Sequence, residues 1–178
     1  MKKLILAIPA YLAVSMVSAA TQQSPNEPKA KPGKSEAVCP MHDAHSRMNE
    51  RGEQGMGFSQ TATTHHFLLK VDGGAIQVEA NSGGDAANRD NIRMHLTHIA
   101  QAFANGDFDI PMFVHDTVPP GVPEMKRLRE KIRYSVEETS AGGRVVIATA
   151  DKEALTAIHK FLRFQIEEHK RGDPTVVP

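Results

Sequence analysis

The chain has 178 residues, with 21 lysines and arginines balanced by 21 aspartates and glutamates, one cysteine and nine histidines. A formal charge of zero without any basic stripe argues against nucleic acid as a partner, because phosphate recognition needs clustered Lys and Arg. A single cysteine excludes an internal disulfide, so the fold must be held by its core.

The first twenty residues, MKKLILAIPAYLAVSMVSAA, place Lys2 and Lys3 before an apolar run from Leu4 to Val17 and small residues at Ser18, Ala19 and Ala20. This is the pattern of a secretory signal peptide at 1–20, and it predicts an exported, periplasmic protein. The run is too short, and too interrupted by Pro9, for a stable membrane insertion, which needs roughly 20 apolar residues. Cleavage would leave 19 basic against 21 acidic side chains, a formal charge near −2.

Residues 21–60 are rich in Gln, Pro, Lys, Glu, Ser and Gly and poor in branched apolar residues. Such a composition buries too little surface to offset the entropy of ordering, which predicts a flexible tether. The tether carries VCPMHDAHSRM, where Cys39, Met41, His42 and His45 gather soft and borderline metal donors within a few positions. Thiolate and thioether sulfur favour Cu(I), whereas imidazole also suits Cu(II), zinc and haem iron.

From 61 to 173 the composition becomes that of a globular domain, followed by a short tail at 174–178. THHFLLKVDGGAIQVEA reads as two alternating strands turning at Asp72-Gly73-Gly74, and IRYSVEETSAGGRVVIATA as a second pair around Gly142-Gly143. Each pair precedes an amphipathic helix, one with Ile92, His95, Leu96, Ile99 and Phe103 on its stripe, the other with Leu155, Ile158, His159, Leu162 and Ile166. Gly106 and Gly172 are the expected helix stops. The resulting fold class is α+β: two ββα units forming a four-stranded antiparallel sheet with two helices on one face. Between the units, DIPMFVHD reads as extended, followed by a turn at Pro119-Pro120-Gly121 and a short helix from Pro123.

The histidines fall on apolar faces. His65 alternates with Phe67 and Leu69, His95 and His159 lie in the helical stripes, and His115 ends an apolar run. Buried imidazoles need partners for both nitrogens. Two readings of His65, His95, His115 and His159 stay open. In one, each is a core residue satisfied by a backbone carbonyl; in the other, the four share a metal ion, for which neutral imidazole is the commonest ligand. His66, His98 and His169 read as semi-exposed or supporting residues. No nucleophile elbow, P-loop, dinucleotide fingerprint, H-E-x-x-H or C-x-x-C-H motif occurs, so no catalytic residue is assigned.

At Cys39-Pro40-Met41-His42 the chain resembles the Y-C-P-M-H-P element of heavy-metal-binding segments in copper and related cation efflux systems, with Val38 in place of Tyr and Asp43 in place of the second Pro. The resemblance implies contact with a soft metal and, as a partner, a metal efflux or delivery protein. The body, from ATTHHFLL through MHLTHIAQAFANGDFDIPMFVHD to AIHKFLRFQIEEH, is similar to a group of small exported bacterial proteins without an established activity, some labelled aspartate carbamoyltransferase. The matching histidine-bearing stretches hold His65, His95, His115 and His159. The enzyme label finds no support, because the S-T-R-T-R phosphate-binding run and any basic phosphate cradle are absent. The expectation is a periplasmic metal-binding protein, for copper before zinc or haem, in tolerance, buffering or delivery. Its rivals are a small histidine-site metalloenzyme with Asp116 beside His115, a non-covalent haem binder, and an interaction module with a buried histidine network.

Overall fold

Alternation in the strands and the 3.6-residue stripes of the helices assemble a four-stranded antiparallel sheet in the order β1-β2-β4-β3. The computed structural model describes the backbone from Pro40 and the side chains from Ser46, in both cases to Pro178. The signal-peptide and Cys39 readings lie outside the described residues, as do the side chains of Met41, His42 and His45.

β1 (Thr63–Lys70) and β2 (Gly73–Ala80) form the first hairpin, β3 (Ile132–Glu138) and β4 (Gly142–Thr149) the second. β2 pairs with β4 in the centre. The register aligns His65 with Val78 and Gly143, Phe67 with Ile76 and Val145, and Leu69 with Gly74 and Ile147. These rows make the covered face. The first turn is Val71-Asp72, one position earlier than the glycine pair indicated, because Gly73 and Gly74 both enter the ladder.

α2 (Ala86–Ala104) and α5 (Lys152–His169) lie on that face. A Cβ at Gly74 would stand 2.2 Å from the Leu162 Cδ1 of α5, and one at Gly143 would stand 3.2 Å from the Leu96 Cδ1 of α2. Two glycines in the sheet therefore let both helices sit low, one on each half. Asp85 and Asp151 cap them by accepting hydrogen bonds from backbone N–H groups of their first turns. α2 ends at Asn105, followed by Gly106 at φ 78°, as expected; α5 instead ends two residues before Gly172, on a left-handed Lys170. The core between sheet and helices centres on Phe103, Phe108, Ile92, Ile158, Phe161 and Leu162, each at most 2 % exposed.

Two segments depart from the sequence reading. Residues 40–56, assigned to the flexible tether, form α1 (Pro40–Met56), and Met48 and Phe58 are buried. The folded body thus begins inside the segment whose composition looked unstructured. Residues 109–115, read as extended, form α3 (Asp109–His115). α1 packs on α3 through glycine: Gly55 lies flat against Phe113 and Val114, and Arg51 Nε donates to the Val114 carbonyl at 2.9 Å. The expected proline turn and short helix are present as Gly121, at φ 89°, and α4 (Val122–Arg127). A Cβ at Gly121 would stand 2.2 Å from the Ala157 carbonyl, so only glycine fits where this turn meets α5. Among the described residues no helix is long and apolar enough to cross a membrane.

Candidate functional site

Four histidines converge on one apolar cavity. His65 reaches it from β1, His95 from α2, His115 from the end of α3 and His169 from the last residue of α5. The cavity has about 60 Å3 of free volume, with Met56 of α1 and Gln165 of α5 also in its lining. Phe67, Ile76, Leu96 and Phe161 supply apolar wall.

The rings form a connected string. His169 stacks on His65 with centroids 5.7 Å apart and meets His115 edge-on at 5.3 Å. Phe58 stacks on His65 at 5.9 Å and meets His95 edge-on at 5.4 Å. His65 and His115 are thus joined through His169, which packs against both.

Burial keeps three of these rings neutral. His65 is 5 % exposed, and its pKa falls to about 3, first through desolvation and then through the neighbouring His95, Arg171 and His66. Desolvation, assisted by His98, lowers His95 to about 4. His115, whose side chain is 1 % exposed, is also lowered by burial, with Arg51 adding to the effect and Gln165 and Glu168 opposing it. At neutral pH all three present lone pairs rather than positive charge.

Two of these lone-pair carriers have a nitrogen without a partner. His65 Nε2 and His115 Nδ1 are buried and make no hydrogen bond, and the same is true of Gln165 Nε2. The other nitrogen of His115 explains its tautomer. His115 Nε2 stands 2.8 Å from Gln165 Oε1, so it donates its proton there and leaves Nδ1 as the lone pair. Glu168 Oε2 lies 4.0 Å from that Nδ1 and is half exposed, outside hydrogen-bonding range.

Of the sequence-predicted set, the structure brings together His65, His95 and His115 but not His159. His159 Nε2 donates instead to the carbonyls of Lys70 and Gly73, at 2.9 and 3.0 Å, tying α5 to the first hairpin turn. Its expected place is taken by His169, and Gln165 was not foreseen. The cause is helix phase. The buried arc of α5 includes Ala154, Ala157, Phe161 and Gln165, which turns His159 to the flank and carries His169 inward. The four-residue spacing of Phe161, Gln165 and His169 was the signal available in the sequence. His66 faces the other side of the sheet, where its Nδ1 meets Asp173 at 2.8 Å. Asp116 is exposed at the end of α3 and does not line the cavity.

Among the described residues no three of His, Cys, Asp and Glu stand in an arrangement that would hold a metal ion by themselves. The cavity therefore offers paired imidazole donors with a thioether nearby, not a carboxylate-rich or tris-histidine centre. A cavity of about 150 Å3 holds one benzene, so a volume of about 60 Å3 does not admit a haem macrocycle without opening the fold. No protein family, curated protein or solved structure matches the chain.

Proposed function

We propose that this is an exported, periplasmic copper-binding protein acting in tolerance, buffering or delivery. The observation that carries the reading is the pair of buried, neutral and unpartnered imidazole nitrogens, His65 Nε2 and His115 Nδ1, in one apolar cavity. An unpartnered buried polar atom costs about 1–3 kcal/mol. Both residues line the cavity, where a ligand would pair these nitrogens. The donors are soft enough for the purpose: Met56 adds a thioether, and imidazole with thioether suits copper better than magnesium or calcium.

The N-terminal element supports the same reading independently. Cys39, Met41, His42 and His45 are a soft donor set in the sequence, and Met56, further along the chain, lines the cavity. They act as two sites, one for capture and one for holding.

Ordered water would satisfy the same cavity atoms, and a metal titration separates the two occupants. The full chain is titrated with Cu(I) against a chromophoric chelator, alongside Cys39→Ser/His42→Ala and His65→Phe/His115→Phe. Each double variant should lose one class of site and keep the other. Unchanged copper uptake in the second would remove the cavity from the reading, and no uptake by the parent chain would end it.

A further inference from the structure

The site's charge balance narrows what it will take. Among the described lining residues the donors are the imidazoles, of which burial keeps His65, His95 and His115 neutral, the Met56 thioether and the Gln165 amide, with no carboxylate or thiol. A metal centre of neutral ligands leaves the full charge of the ion in an apolar enclosure. The desolvation cost of an ion grows with the square of its charge, so a divalent ion is penalised about four times as heavily as a monovalent one. Nearby fixed charges act in the same direction. The guanidinium of Arg171 bears on His65 and that of Arg51 on His115. One carboxylate, Glu168, approaches His115 Nδ1 at 4.0 Å, and its single negative charge matches one positive charge and no more.

The donor geometry points the same way. Zinc in proteins takes four ligands in a tetrahedron, whereas monovalent d10 cations accept two or three soft donors. Here the residues carrying two unpartnered imidazole nitrogens and one thioether line one cavity, and among the described residues no three of His, Cys, Asp and Glu are arranged to hold an ion together. Gln165 accepts the Nε2 proton of His115 and so holds Nδ1 as a ligand atom without adding charge.

We infer that the cavity selects by ionic charge, taking a monovalent soft cation, Cu(I) or Ag(I), and refusing Zn(II) and Cu(II). This rests on the metal-binding reading above and adds to it the oxidation state. It makes the protein a holder of the reduced ion, which must be supplied by a reductant or by a carrier already loaded with Cu(I).

The test uses the full chain carrying Cys39→Ser, so that the thiol does not compete. Silver nitrate serves as a redox-inert monovalent probe and zinc sulfate as the divalent one. Long-range 1H–15N spectra of the imidazole rings report each histidine separately. Silver should shift the ring nitrogens of His65 and His115 at near-stoichiometric concentration, with zinc requiring about 100-fold more to produce the same shifts. Gln165→Leu should weaken silver binding by about tenfold and return part of His115 to the other tautomer in the metal-free spectrum, a change that simple loss of packing would not produce. Zinc shifting the same two nitrogens as readily as silver would overturn the charge selection while leaving a metal site in place. Shifts from neither ion would overturn both the selection and the cavity's role in binding, provided circular dichroism shows the variant folded.

Discussion

Acidification should unfold this protein through its cavity histidines, and one substitution should separate their contribution from that of every other group. In the unfolded chain His65 and His95 titrate near the ordinary value of 6.5, whereas in the fold they are held down to about 3 and about 4. Between these limits the unfolded state binds more protons than the native one, so stability is complete above about pH 6.5 and falls as the pH drops toward the folded values. Each such histidine contributes a slope of about 1.4 kcal/mol per pH unit. From pH 6.5 to about 4.5 that is at most about 2.7 kcal/mol for each ring, and roughly 5 kcal/mol for the two, against a total stability of about 5–15 kcal/mol. His65→Phe isolates one ring. Phenylalanine keeps a planar group against Phe58 and His169, the adjoining cavity accepts its extra volume, and no hydrogen bond from Nε2 is lost. In metal-free buffer the variant should match or exceed the parent near neutral pH. Its advantage should then grow by about 1.4 kcal/mol for each pH unit below about 6.5. Urea unfolding followed by circular dichroism at several pH values measures this directly. Parallel stability curves for parent and variant would refute the assignment of acid sensitivity to a neutral, buried His65.

Two further outcomes follow from the placement of His159 and of α1. His159→Ala should destabilise the domain by about 1–2 kcal/mol in urea, since it releases the Lys70 and Gly73 carbonyls of the hairpin turn, while leaving copper binding intact. A loss of metal with unchanged stability would return His159 to the site. Removing all residues through Met56 should lower the thermal midpoint, because buried Met48 contributes about 1.5–3 kcal/mol, partly buried Met56 a smaller amount, and α3 loses its cover. An unchanged midpoint would restore the tether reading for residues 21–56.

The ββα repeat was legible because two independent periodicities had to agree for its elements to share a core. Alternation placed His65, Phe67 and Leu69 on one face, and the register confirms that face as the covered one. The two helical segments were hidden for different reasons. α3 contains Pro, Phe and Val, which favour extended chain, yet Pro111 falls in its first turn, where a missing N–H breaks no intrahelical bond. α1 was hidden by composition. Its contact with α3 uses Gly55 as a flat surface, and a glycine face buries a neighbour's apolar atoms without adding apolar residues to its own sequence. Counting hydrophobic side chains does not detect that kind of packing.

The histidines divide by what they touch, and the division explains why the cavity set is the one of interest. His159 and His66 each meet an oxygen: His159 anchors a hairpin turn, and His66 joins the edge strand to Asp173, which also accepts from the Phe67 N–H. These two do what a polar residue inside or beside a core ordinarily does, and their roles are complete without a ligand. His65 and His115 differ in kind. Each keeps a nitrogen buried and unpaired, and the amide of Gln165 repeats the pattern beside them. Leucine or phenylalanine at these positions would fill the same space without leaving a polar atom unpaired. A core shaped only by stability would favour such replacements, and either ordered water or a bound ligand would offset the cost of the unpaired nitrogens. Binding of an ion by neutral imidazoles predicts that His65→Phe gains stability in metal-free buffer and loses that advantage once silver or Cu(I) saturates the parent chain.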